Sequence, residues 1–496
     1  MKKALFTSFV VLCLLSAVFL MGLALNVQIA KADYTWTETI YIRADGSIEP
    51  DTAPISSADN MTYTLTDNIV GDVPEGSSAI VVERNSIVID GAGYTIEGTK
   101  ADFSKGISLS NVNNVTIKNT NIKSFDWSGI QQLNTLNNTI YRNNITDNGA
   151  GVLLGNSSYN VITGNNMTNN GYGVNMIHYV GVSQSNTISR NNITNNYYGY
   201  FCVSARNNTV SGNTITNNSV VGVDLTGSCD NTFYGNNIMN NEVGVQFWSS
   251  CNNSISANNL MNNNDCAISF DSSSDNNTIC RNNITNNNHG IYVMYSSNNS
   301  IFNNNLLSNT YQTYTHMSVN VWDSGLEGNY WSDYAGVDLY SGPYQNETGS
   351  DGIGDTSYEI DVENQDNYPL MGMFSGFDAT SEYHVQTICN STISAFQFNG
   401  TAISFNVTGE DGTMGFCRTC IPTAVMNDTY TVLVNGTAVP FSLLPCSNST
   451  HSYLYFSYSH STQDVVIIPE LPSVLIVPLL MALTLGIAVL LKKKGL

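Results

Sequence analysis

The sequence predicts an all-β chain built on a right-handed parallel β-helix, and three observations carry the prediction. The first is a repeat. Nine times between Gly106 and Ile291 a small residue precedes an aliphatic or aromatic one at a spacing of 22 to 26 residues, as in Gly151-Val152, Gly222-Val223 and Ala267-Ile268. Self-similarity at this period means a solenoid, because each unit can bury its apolar face only by stacking on the next. The second is alternation: Val223 and Leu225 share one side while Asp224 takes the other, and Val245, Gln246 and Phe247 repeat the pattern. A period of two marks a strand. The third is asparagine, which recurs in three columns at fixed offsets, running through Asn138, Asn160 and Asn186, through Asn143, Asn165 and Asn191, and through Asn148, Asn170 and Asn196.

Three short strands per unit, bounded by Asn, Gly or Ser, make one three-sided coil of about 22–24 residues, with the next coil ~4.8 Å along the axis. Leucine-rich repeats share the period but need a Leu consensus and a helical or extended return segment, and neither is present. Asn is expected at the corners because it tolerates the left-handed backbone and can hydrogen-bond to the Asn one coil away. A disordered Asn-rich tract would not lock aliphatic residues to fixed offsets.

The elements follow in order. Residues 1–32 read as a secretory signal, with Lys2 and Lys3, an apolar run from Ala4 to Leu25 and Ala30-Lys31-Ala32 for cleavage; an uncleaved anchor is the alternative. Residues 33–319 are the β-helix with its N-terminal cap, and Ser86 to Gly98 reads as an early coil. Residues 320–375 close its far end, since an uncovered last coil is a sticky sheet edge. Residues 379–466 change to short strands such as Ala402–Val407 and Tyr430–Val434 around turns at Gly409–Gly412 and Asn435-Gly436, a small Ig-like β-sandwich. Residues 471–491 form an apolar run long enough for a transmembrane helix, and residues 492–496 a basic tail that stays in the cytoplasm. The expected product is a single-pass cell-surface protein with an extracellular ectodomain.

Charge supports that placement. The formal charge is −22, and six of the seventeen Lys and Arg lie in the two termini, so the ectodomain is more acidic still. Such a field excludes nucleic acid as a partner. About twenty Asn-X-Ser/Thr sequons, Asn60, Asn283 and Asn406 among them, are glycosylation candidates, although an Asn-, Ser- and Thr-rich repeat generates them by chance. Cys389, Cys417, Cys420 and Cys446 are an even set that suggests two disulfides, with three connectivities open. Cys229 and Cys251 occupy the same place in adjacent coils and are close enough to bridge.

The block Gly328-Asn329-Tyr330-Trp331-Ser332-Asp333-Tyr334, followed by Asp351-Gly352-Ile353-Gly354-Asp355 and Asp366-Asn367-Tyr368-Pro369-Leu370-Met371, resembles the end of NosD-type β-helix proteins. The Asn-rich coils resemble the same family, so the resemblance covers about residues 80 to 373. It implies either copper delivery or, as for most relatives, in archaea especially, a surface protein without assigned chemistry. Copper needs clustered His, Cys or Met. The six histidines are scattered and only His316-Met317 is an adjacent pair, so copper is disfavoured. Calcium is better served by Asp333, Asp338, Asp351 and Asp355, hard oxygen donors in a Gly-rich segment, with a solvated acidic turn as the plain alternative.

One sheet carries an unusual outward face, with Phe201, Asp224, Gln246 and Tyr292 in one column and Trp248 and Asp271 in another. Rings beside carboxylates and amides are what a sugar groove offers, and a covered apolar stripe is the alternative. Two function classes follow: a non-catalytic, membrane-anchored surface protein that binds extracellular polysaccharide or other surface proteins, or a polysaccharide lyase, hydrolase or epimerase on the same face. The spacing of Asp224 and Asp271, two coils apart and in different columns, disfavours a glycosidase pair.

Overall fold

The computed structural model describes residues 38–469, apart from 178–180 and 428, and every regular element among them is a strand. The signal segment, the 471–491 run and His178 lie outside the described residues. Three sheets of 13, 12 and 12 strands run the length of the solenoid, each strand pairing in parallel with its equivalent one coil on, except for Ile48–Glu49 and Ile55–Ser56, which pair antiparallel at the N-terminal end. Register is fixed rung by rung: Val223 faces Val245, then Ile268, then Ile291. The inward side chains Val223, Leu225, Phe233 and Ile238 of one coil are completely buried, and Phe247 stacks on Phe270 at 4.6 Å. Like lies on like because the translation from coil to coil repeats the same local environment.

The asparagine columns are buried ladders. In one of them the backbone N–H of Asn213, Asn236, Asn258 and Asn282 donates to the Oδ1 of the next Asn at 2.9–3.0 Å. Each side-chain amide also bonds onward to the next Asn and back to a carbonyl of the preceding coil, as Asn236 Nδ2 does to Asn258 Oδ1 and Val210 O, both at 2.9 Å. The left-handed residue at each corner is not the ladder Asn but the one before it. Asn240, Arg281 and Asn276, with φ of 55°, 61° and 59°, precede Asn241, Asn282 and Asn277. The expected conformational role therefore falls on the neighbour, and the ladder Asn is selected for its amide. A fourth bend, after the long strand, carries a serine ladder that the sequence pattern did not single out: Ser228, Ser250 and Ser274 each donate a backbone N–H to the next Ser Oγ at 3.0–3.2 Å.

The cap extends these ladders past the last coil. Asn299 donates to Asn320, whose N–H goes on to Asn364 Oδ1 at 2.9 Å, and Asn304 donates to Asn329, whose N–H goes on to Asp366 Oδ2 at 2.7 Å. Two indoles close the core end: Trp322 Nε1 donates to Asn364 and Trp331 Nε1 to Asp366. The Gly328-Asn329-Tyr330-Trp331 block thus has a physical reading. Asn329 ends a ladder, Trp331 covers the core, and Gly328 is required because a Cβ there would lie 1.8 Å from Asp366 Oδ1.

Burial pushes the Asp366 acid up to about 7 against three hydrogen bonds that favour its carboxylate, and burial pushes Asp338 up to about 7 as well. Folding therefore favours the protonated forms. Their contribution is full below the unfolded value near 3.8 and is lost as pH rises towards 7. Stability measured by urea unfolding should fall across about pH 4 to 7, and Asp366→Asn should flatten that slope. A variant with the wild-type slope would show that Asp366 ionises normally.

Beyond the cap, two five-stranded antiparallel sheets spanning Met373–Pro469 pack on a shared core that includes Val385, Phe405, Cys417, Val432 and Phe456. The first strand, Met373–Asp378, begins inside the segment expected to close the solenoid, because its backbone pairs with His384–Cys389 rather than with a coil. The two parts meet at Arg418, whose side chain is 3% exposed and contacts Glu327 Oε1 at 3.1 Å and the Asp351 carbonyl at 3.0 Å.

Candidate carbohydrate-binding face

The site is built on seven long strands, from Tyr172–Ile177 to Tyr311–His316. The second residue of the first six is Gly or Ala for a steric reason, and the last strand, which no further long strand follows, has Gln312 there. A Cβ on Gly199, Gly222 or Gly244 would lie 2.4–2.7 Å from the carbonyl oxygen of the next rung. These glycines drop out of the ladder register, which passes from Val221↔Val243 directly to Val223↔Val245. The strand bends there, so the Gly and its successor both face the core while the residue before the Gly turns outward.

That bend adds an outward column to the two expected from alternation. It runs through Tyr172, Tyr198, Val221, Val243, Cys266 and His289. The sequence does not reveal it by period alone, because simple alternation across the Gly gives the wrong side; the recurring aromatic immediately before Gly173, Gly199 and Gly290 was the available signal.

The middle column is Phe201, Asp224, Gln246, Ser269, Tyr292 in consecutive rungs, and Trp248 sits directly beside Asp271 in the next column. The six expected residues therefore share one face. Aromatic clusters stand at both ends. Tyr172 and Tyr198 stack at 5.3 Å with Phe201 5.3 Å from each. At the other end His289 stacks on Tyr311 at 5.0 Å and Tyr292 on Tyr314 at 4.9 Å. Phe201 and Tyr292 are four rungs apart, ~19 Å at ~4.8 Å per rung. Between them Trp248 is 45% exposed, its ring open to solvent.

Asp224 is 6% exposed, takes one hydrogen bond from Thr226 Oγ1 at 3.0 Å, and has its acid pushed up by burial. Burial, and then the Asp224 charge, raises the neighbouring Tyr198 phenol. Asp224 and Asp271 are two rungs and two residues apart, roughly 12 Å by strand geometry, which exceeds the separation glycosidase carboxylates use. Arg142, Arg190 and Arg281 occupy left-handed corners, with φ of 54–61°, away from this face.

The other expected residues have the following surroundings. Asp338 accepts from the N–H of Asp351 and Gly352, Asp355 from those of Leu339 and Tyr340, and Asp333 from the Tyr358 hydroxyl, while Asp351 accepts from Ile353 and lies 3.6 Å from Arg418. Asp351 thus closes its own turn, whereas Asp333, Asp338 and Asp355 tie together parts of the cap 13 to 25 residues apart. Among the described residues no three His, Cys, Asp or Glu side chains converge as metal ligands do. Cys229 and Cys251 are disulfide-bonded, with Cα atoms 4.7 Å apart. Cys389, Cys417, Cys420 and Cys446 are thiols, and Cys389 faces Cys417 directly across two antiparallel strands. A hydrogen bond from Cys417 draws the Cys389 thiol below its usual range, which favours thiolate attack. Treatment with glutathione disulfide should join Cys389 to Cys417 in a non-reducing peptide map; a Cys389–Cys420 peptide instead would refute that pairing.

The fold and this face define a right-handed parallel β-helix protein whose longest sheet exposes a polar and aromatic strip. Residues 55–203 match the family model of the right-handed β-helix region, and residues 175–336 match that of NosD, described as a periplasmic copper-binding protein. The NosD match takes in the last coils and the start of the closing segment, and the β-helix match the first coils. No curated protein sequence matches. Among solved structures, the Dettilon tailspike protein is 14% identical over 87% of this chain and 85% of its own, with a TM-score of 0.45. The periplasmic alginate epimerase AlgG is 16% identical over 57% and 83%, at 0.37. The A-module of the Azotobacter vinelandii mannuronan C-5 epimerase AlgE6 is 14% identical over 58% and 91%, at 0.36.

Among the described residues, this face offers copper, the metal in the family description, two separate donor pairs. Cys266 neighbours His289 and Met294 neighbours His316 in register, but the two pairs lie on opposite edges of the strip. Two-ligand pairs ~15 Å apart, five residues along a strand, cannot share one ion.

Proposed function

We propose that this chain is a non-catalytic carbohydrate-binding surface protein, with an extended polysaccharide lying along the outer face of its longest sheet. The supporting observation is the pair of aromatic clusters ~19 Å apart, joined by Asp224, Gln246, Ser269 and the half-exposed Trp248. Ring faces stack on sugar C–H surfaces and the polar groups between them hydrogen-bond hydroxyls. The Cys229–Cys251 bond fits an oxidising, extracellular compartment, and we place the face outside the cell on a membrane-anchored chain. Calcium, if it acts at the Asp338–Asp355 turn, would have a structural role.

Trp248→Ala is expected to lose at least roughly fivefold in affinity, from about 1 kcal/mol of stacking, with an unchanged unfolding midpoint because no core cavity opens. If the variant unfolds instead, the strip is a packing surface and the binding reading is wrong. A second reading, acid–base chemistry on a bound polymer, draws on the raised acid of Asp224 beside Tyr198. Cleavage or epimerisation by the wild type that disappears in Asp224→Asn would establish it.

A further inference from the structure

We propose that the polymer bound by this face carries no acidic groups: it is built of neutral hexoses or amino sugars, and uronate chains are excluded. The inference rests on the carbohydrate reading above and adds the chemical class of the ligand.

Charge is the first ground. The seven long strands from Tyr172 to His316 contain no Lys or Arg, while Asp224 and Asp271 lie within them. Glu242 and Asp265, both exposed, immediately precede two of these strands. Recognition of a polymer bearing one carboxylate per sugar calls for guanidinium or ammonium partners, above all bidentate Arg, and the strip offers none. The surrounding field adds to this, since a chain of formal charge −22 repels a polyanion before contact.

Hydrogen-bond capacity is the second ground and is independent of charge. Asn175, the rung before Phe201 in the middle column, is 8% exposed and its Oδ1 has no partner. Asp224 and Asp271 add acceptor oxygens to the same strip, and Asp224 spends one bond on Thr226. The buried Asn175 oxygen and the Asp224 carboxylate are completed by a ligand that donates. Hydroxyl and ammonium groups do so, whereas a carboxylate can only accept. The donors the strip possesses, the Trp248 indole, the Gln246 amide and the hydroxyls of Tyr198, Ser269, Tyr292 and Tyr314, are neutral and suit sugar hydroxyls and ring oxygens, and its basic side chains are the imidazoles of His289 and His316.

The test uses the full chain in detergent, run by affinity electrophoresis through neutral polymers (mannan, glucan, galactan), amine-bearing chitosan, and acidic alginate and polygalacturonate. Retardation by a neutral or amine-bearing polymer is expected, removed by Trp248→Ala, with none by the acidic pair. The double variant Glu242→Lys/Asp271→Lys is expected to gain roughly tenfold in alginate affinity at low salt, a gain that high salt removes. Retardation of the wild type by alginate or polygalacturonate overturns the inference. If Trp248→Ala removes that retardation, the carbohydrate reading itself still stands. Failure of every polymer to retard the wild type overturns both.

Discussion

Replacing Asn236 by Leu is expected to lower stability by about 3–5 kcal/mol, because several buried groups lose partners at once. Asn236 Oδ1 accepts from Asn213 N at 2.9 Å and Asn213 Nδ2 at 3.0 Å, and its own amide donates to Val210 O and Asn258 Oδ1. Leucine fits the volume roughly but satisfies none of these, and a fully buried site admits no replacement water easily. Each buried polar group left unpaired costs about 1–3 kcal/mol. The neighbouring Asn237 is exposed, its side chain accepting from Asn259 at 2.9 Å, so Asn237→Ser should change stability by less than about 0.5 kcal/mol. Urea unfolding of the two variants side by side makes the comparison. Equal midpoints would mean that the ladder contributes no more than surface amides do.

Arg418→Met should have an effect of similar size for an electrostatic reason. It strands the Glu327 carboxylate, 8% exposed, together with Asp351, 7% exposed, without their cation. Removing one partner of a buried ion pair typically costs about 3–5 kcal/mol, most of it the penalty on the charge left behind. Adding Glu327→Gln to the variant should recover part of the loss. Because Arg418 joins the cap to the C-terminal sheets, Arg418→Met should also raise the rate of proteolytic cutting between the solenoid and those sheets. A variant as stable and as protease-resistant as the wild type would show that the junction is held by its apolar contacts alone.

What the sequence alone determined is whatever the coil-to-coil translation repeats. The period, the parallel pairing, the inward aliphatic residues and the Asn ladders depend only on which residues recur at one offset, so Asn213, Asn236 and Asn258 fall into line by spacing alone. The closing block was legible by its resemblance to NosD-type ends, and that Asn329 continues a ladder is visible only in the structure. The tertiary structure decided what depends on local bending or on contacts without a period. The bend at Gly199 and Gly222 turns Tyr172, Tyr198 and His289 outward, although alternation alone would place them inside. The serine ladder is obscured in the sequence because serine is abundant throughout the repeat. Arg418 meets Glu327 across 91 residues, and Cys389 faces Cys417 through a strand pairing that no repeat announces. The four aspartates of the cap resemble a ligand set by residue type, and only the structure shows their partners, backbone N–H groups for Asp338, Asp351 and Asp355 and the Tyr358 hydroxyl for Asp333. Translation writes itself into sequence, whereas a bend or a single long-range contact is recorded only in three dimensions.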